Sequence, residues 1–113
     1  MKLYNENLIA RVRRVLLAQP DVEEKLMFSI LAFMVNGKLC LGVHENELMV
    51  RIDPQQVADV IEKNGCRQMM HGKIPMKGYL LIEEEVIQGN NEFNFWIKLA
   101  LDFNPHAKSA QRS

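Results

Sequence analysis

The sequence predicts an α+β domain of two layers, with helices packed on an antiparallel sheet in the order α-β-β-β-α-β-β-α. Three observations predict it. Two tight-turn signals, Asn36-Gly37 and Glu45-Asn46, divide the apolar run from Met27 to Ile52 into three strands. Apolar residues recur at helical spacing near both ends of the chain. Asp53-Pro54-Gln55-Gln56 has the chemistry of a helix start and separates the three-strand part from the two strands that follow.

Length and composition bound the rest. With 113 residues the chain is long enough for one core, assigned to residues 1–104, and the small polar residues 105–113 read as a disordered tail. Fourteen basic and fourteen acidic residues cancel, so no overall field draws the chain to a polyanion. No stretch has the length of a membrane span, and the amino terminus lacks a signal-peptide pattern, so a cytoplasmic protein away from membranes is expected. Cys40 and Cys66 stand far apart without Cys-x-x-Cys spacing, which implies reduced thiols.

In order, Leu8, Ile9, Val12, Val15 and Leu16 form the apolar stripe of a first helix with Asn5 or Asn7 as N-cap and Gln19-Pro20 as its end. Arg11, Arg13 and Arg14 fall on its other side as a solvated face, and Asp21 to Glu24 reads as an acidic connection. A two-residue turn at Asn36-Gly37 sets Met34 against Leu39, Ala32 against Leu41 and Ile30 against Val43. A second turn at Glu45-Asn46 sets Leu41 against Val50 and Val43 against Leu48. Those residues form the expected core face.

The opposite face then holds Leu31, Phe33, Gly42, Met49 and Arg51. It is too apolar for solvent, so either a helix of the same chain or a second copy must cover it. A bulge near Ser29 is the weak point of that register.

After the Asp53 start, Val57, Val60 and Ile61 line a short helix closed by Asn64-Gly65. Cys66 to Met70 and Tyr79 to Ile82 read as strands, joined by a Gly72 to Gly78 loop that Pro75 keeps out of a central strand. Glu83 to Glu85 mark an exposed turn. Gly89-Asn90-Asn91 opens a last helix whose Phe93, Trp96, Ile97, Ala100 and Phe103 form one side. Phe95, Leu99 and Leu101 widen that stripe as though a second surface covered it.

Several segments together resemble the amino-terminal domain of TfoX/Sxy competence regulators: Glu24-Lys25-Leu26-Met27-Phe28, Leu31 to Lys38, Leu48-Met49-Val50-Arg51-Ile52-Asp53-Pro54 and Pro75-Met76-Lys77-Gly78-Tyr79. With the Trp96 helix the resemblance runs from about Val12 to Phe103. The family pattern has Gly-Gly after Met-Phe, where this chain has Ser29-Ile30. The resemblance implies a secretion-chaperone-like arrangement and a link to transcriptional control of DNA uptake. Full-length relatives carry a second, carboxy-terminal domain that this chain lacks, and the resemblance supplies no catalytic residues.

The residues themselves argue for binding over chemistry. Cys66 and His71 fall on opposite faces of a strand, unfavourable for a nucleophile and its base. Cys40 and His44 share a face but lie roughly 13 Å apart by strand rise, too far to hold one metal. No phosphate loop, metal cluster or cofactor motif is present. Arg67, His71, Lys73 and Lys77, interleaved with Met69, Met70 and Met76, make an adaptable protein-binding surface. The expected role is a non-enzymatic regulatory or interaction domain, a homodimer with partner contacts at Phe33, Met49, Arg51, Lys73, Met76 and Lys77. The alternatives are a nucleic-acid module using the Arg67 to Lys77 loop and a small cysteine-dependent enzyme.

Overall fold

A computed structural model describes residues 4–27 and 29–108. Helix α1 (Glu6–Val15) leads into strands β1 (Val22–Met27), β2 (Ile30–Val35), β3 (Lys38–His44) and β4 (Glu47–Arg51). A 3-10 turn at Pro54–Gln56 opens the single-turn helix α2 (Val57–Val60), followed by β5 (Cys66–His71), β6 (Ile74–Glu83), a 3-10 turn at Glu84–Ile87 and helix α3 (Asn90–Phe103). Among the described residues the strands form one antiparallel sheet ordered β1-β2-β3-β4-β6-β5. The α+β class holds, with one strand more than expected.

The extra strand is β1. Its Val-Glu-Glu-Lys-Leu-Met sequence lies at the sheet edge with almost every side chain in water, so it shows no buried alternation and reads as a connection. The expected first strand is in fact two, reversing where Met27 pairs with Ile30.

The turns behave as their chemistry requires. Asn36 and Gly37 take φ of 56° and 77°, and Glu45 takes 54°. Asn5 caps α1 by accepting the Leu8 N–H at 2.9 Å, and its own N–H bonds to the Glu45 carbonyl. Asp53 accepts the Gln55 N–H at 2.9 Å.

The β3–β4 register is as predicted, Leu41 facing Val50 and Val43 facing Leu48. The β2–β3 register is not. Met34 faces Leu39, but Phe33 faces Leu41, which leaves Cys40 as an extra residue in β3. Both Cys40 and Leu41 join the helix-side core, and beyond this bulge the parity of β2 is reversed. Phe33 and Val35 therefore pack with Leu8, Val12, Trp96 and Phe93 beneath the helices, whereas Ala32 and Met34 face away. The bulge lies at Cys40, not near Ser29.

Among the described residues no helix covers the other face; the open sheet curls over it. Met27 of β1 and Met69 of β5 are five strands apart, about 24 Å on a flat sheet. Yet both line one small cavity with Ile30, Ala32, Leu39, Met49, Met76 and Tyr79. Curling brings the β5–β6 hairpin over Met49, which is fully buried.

The width of α3 also has an internal cause. Phe95 is 37% exposed, edge-on to Trp96 at 5.1 Å and capped by the Lys63 ammonium at 4.6 Å from its ring centre. Arg11 is likewise no solvated residue: it stacks on Phe93 at 4.0 Å and donates to the Ile87 carbonyl at 2.7 Å.

The stretch read as a tail begins with a 3-10 turn, Asn104–His106, and Ala107 is buried; residues 109–113 lie outside the described residues. The buried Asn104 side chain donates to the Val35 carbonyl at 3.0 Å and accepts from Asn36 Nδ2 at 2.9 Å. Lys38 Nζ reaches the Asn104 carbonyl at 3.1 Å. This amide ties the end of α3 to the β2–β3 turn. Asn104→Ala removes the amide hydrogen bonds to the Val35 carbonyl and to Asn36, and urea denaturation is expected to show a loss of about 1–3 kcal/mol.

Candidate functional site

The β5–β6 hairpin carries most of the residues singled out for binding. Its turn is Gly72-Lys73 rather than a seven-residue loop, because β6 begins at Ile74 and runs as far as Glu83. Pro75 is tolerated there since β4 pairs only with residues 79–83, so this half of β6 has a strand on one side alone.

Between Gln68 and Met70 the register jumps: Gln68 faces Leu80, while Met70 faces Pro75. Met76 to Tyr79 bow out of the ladder as a bulge. Gln68 fills it, its amide nitrogen lying 2.6 Å from the Met76 carbonyl, 2.9 Å from that of Met69 and 3.1 Å from that of Tyr79. Gly78, at φ 85°, turns the chain so that its carbonyl accepts the Ile52 N–H at 2.8 Å. The bulge sends Met76 and Tyr79 into the cavity of about 90 Å³ and leaves Lys77 in water. Every wall of that cavity is apolar, which keeps it dry.

Next to it, and sharing Ile30, Met69 and Met76, runs an open groove of about 380 Å³ that also touches His44, Arg67, Met70 and His71. Met70, which lines it, is 45% exposed, and Ile74, paired with His71 on the same hairpin, is 67% exposed. No Asp or Glu occurs between Lys63 and Ile82, so the turn-proximal part of the hairpin that carries Lys73 and Lys77 has no carboxylate of its own.

The sequence-predicted residues divide. Met76, Lys73 and Lys77 come together on this hairpin. Phe33 is 0% exposed in the helix-side core, out of a partner's reach, because the Cys40 bulge reversed its face. Met49 is buried under the hairpin instead of facing a second copy. Arg51 donates to the Leu39 carbonyl at 3.3 Å and lies 5.4 Å from the centre of the Tyr79 ring; among the described residues no carboxylate pairs with it. Arg67 is held by Glu47 in a two-pronged pair at 2.8 and 2.9 Å, and His44 meets the same carboxylate at 3.3 Å. That pairing withdraws Arg67 from the basic surface. Gln68 and Gly78, which shape the site, were not singled out for it; the glycine after Pro75-Met76-Lys77 was the available signal.

The thiols are poor nucleophiles. Burial pushes Cys40 up to about 12 and Cys66 up to about 11 from an ordinary 9.0, only partly offset by Arg51 and Lys63 respectively. Cys40 also no longer shares a face with His44, because the bulge turned it into the core. Cys66 packs against the core while His71 lines the groove. Iodoacetamide at pH 8 is therefore expected to label both thiols slowly in the native protein and fast in denaturant. Folded thiols that keep their protons longer than unfolded ones make stability fall as pH rises from about 9 towards about 12.

Among the described residues no group of His, Cys, Asp or Glu side chains is placed to hold a metal ion, and no helix is long and apolar enough to cross a membrane. The model of the TfoX N-terminal domain matches residues 14–104. The chain belongs to the TfoX N-terminal domain family. No curated protein and no solved structure matches it. All four segments that carry the resemblance send side chains to the cavity: Met27, Ala32, Met49, and Met76 with Tyr79. In this TfoX N-terminal domain Ser29-Ile30, standing where the family pattern has two glycines, sits at the β1–β2 reversal; Phe28 lies outside the described residues.

Proposed function

We propose that the domain is a regulatory interaction module without catalytic activity, and that it binds an acidic, apolar segment of another protein along the β5–β6 hairpin. The observation that carries this reading is the methionine groove with Met70 exposed along it, beside an exposed Ile74 and the two lysines Lys73 and Lys77, in a stretch of the hairpin that has no Asp or Glu from Cys66 to Ile82. Thioether side chains adapt to varied apolar partners, and the two lysines favour acidic flanks. A regulatory, competence-related role agrees with the family. Catalysis by a thiolate is disfavoured by the raised Cys40 and Cys66.

The test compares wild type with a Met70→Glu/Lys73→Glu/Lys77→Glu variant in pull-downs from the native cell. A partner retained by the first and lost by the second is expected. A partner held equally by both contradicts the assignment, as does retention of duplex DNA that fades steeply with salt.

A further inference from the structure

We propose that two copies of this chain join edge to edge through β1, in a two-fold antiparallel pair centred on Glu24. The groove reading and this one stand separately, since β1 and β5 are opposite edges of the sheet.

β1 has β2 on one side only, and residues 22–26 are all exposed. Such an edge presents a row of unpaired N–H and C=O groups that a further strand can satisfy. Symmetry restricts how a second β1 can do so. A two-fold axis perpendicular to the sheet keeps each side chain on its own face, so one residue must sit opposite its own copy. Registers that pair five of the six residues centre on Glu24 or on Lys25.

Centring on Lys25 brings two ammonium groups together and sets Glu24 against an apolar residue. Centring on Glu24 does the reverse. On one face Glu23 meets the partner's Lys25, twice by symmetry. On the helix face Val22 meets the partner's Leu26, again twice, covering a leucine that is 69% exposed and a valine that is 37% exposed in the single chain. The central Glu24 carboxylates do not meet bare. Each is already held by its own Arg13 at 2.7 and 2.8 Å, so the dyad sets two ion pairs side by side. That arginine keeps the Glu24 carboxyl below its usual range.

A third feature lies on the same side. The segment after α1 overhangs β1, and Leu17, 81% exposed, lines a shared groove with Val22 and Glu24. The opposite edge offers no equivalent: five-residue registers of β5 centre on Gln68 or Met69 and bring no opposite charges together.

Sedimentation velocity of the full chain at micromolar concentration tests the interface. A dimer is expected for wild type. Lys25→Glu converts two attractions into two repulsions and is expected to weaken dimerisation roughly tenfold or more. Adding Glu23→Lys to it restores opposite charges in the same register and is expected to rescue the dimer. Met70→Glu, on the other edge, leaves it intact. A monomeric wild type, a dimer indifferent to Lys25→Glu, failure of the exchange to rescue, or loss of the dimer in Met70→Glu would each overturn the proposal. All these residues are exposed, so the variants fold, and partner capture by the hairpin is read independently.

Discussion

Phe33→Ala destabilises the isolated domain by about 3–5 kcal/mol, measured by chemical denaturation. Phe33 is fully buried in the core with Leu8, Val12, Leu41 and Trp96, so truncation removes a ring from a packed interior and leaves a cavity. Against a total of roughly 5–15 kcal/mol for a small domain, that loss unfolds a large share of the protein at elevated temperature. A residue on an open binding surface behaves otherwise. Its truncation shifts association and leaves monomer stability within about 0.5 kcal/mol. The experiment therefore separates the register with the Cys40 bulge from the unbroken register that places Phe33 on the far face.

The second large effect is expected at Gly78. Its φ of 85° is a conformation that costs a non-glycine residue about 1–2 kcal/mol, and an added Cβ falls 2.7 Å from the Ile52 carbonyl oxygen. That oxygen is backbone, and the Ile52 N–H is bonded to Gly78 itself, so neither strand can retreat without breaking the β4–β6 junction. Gly78→Ala is expected to cost about 2–4 kcal/mol and to loosen the bulge that aims Met76 and Tyr79. Gly72 supplies the control. It too has positive φ, 63°, but open space around its Cα, so Gly72→Ala costs about 1–2 kcal/mol from conformation alone.

The parts legible in the sequence are those fixed by local chemistry. Asn36-Gly37, the Asp53-Pro54 helix start and Gly65 each demand a conformation from neighbouring atoms, and the turns and the helix start stand where expected, although the strand before Asn36 begins later and α2 ends at Val60 with Ile61 as its cap, short of Asn64-Gly65. β1 was missed because an edge strand owes nothing to burial: Glu23, Glu24 and Lys25 pair their backbones on one side and face water. The Cys40 bulge was invisible for the opposite reason. Leu39, Cys40 and Leu41 are all apolar, so either parity buries them, and only packing against α1 and α3 decides which pair turns inward. The apolar second face was real, but what covers it is the same sheet, curled.

Of the residues proposed for binding, Lys73, Met76 and Lys77 lie together because a hairpin turn keeps sequence neighbours together. Phe33 depended on the register of the whole β2–β3 hairpin and inherited its error. Arg67 looked free because its partner, Glu47, lies 20 residues away on a strand two places across the sheet.

Methyl NOE spectroscopy on protein labelled at the methionine and leucine methyls and the aromatic rings tests the curled, bulged sheet most directly. The expected result is contact of the Met49 methyl with those of Met69 or Met76, and of the Phe33 ring with Leu41. Contact between Phe33 and Met49, with nothing from Met49 to the hairpin methionines, would contradict it.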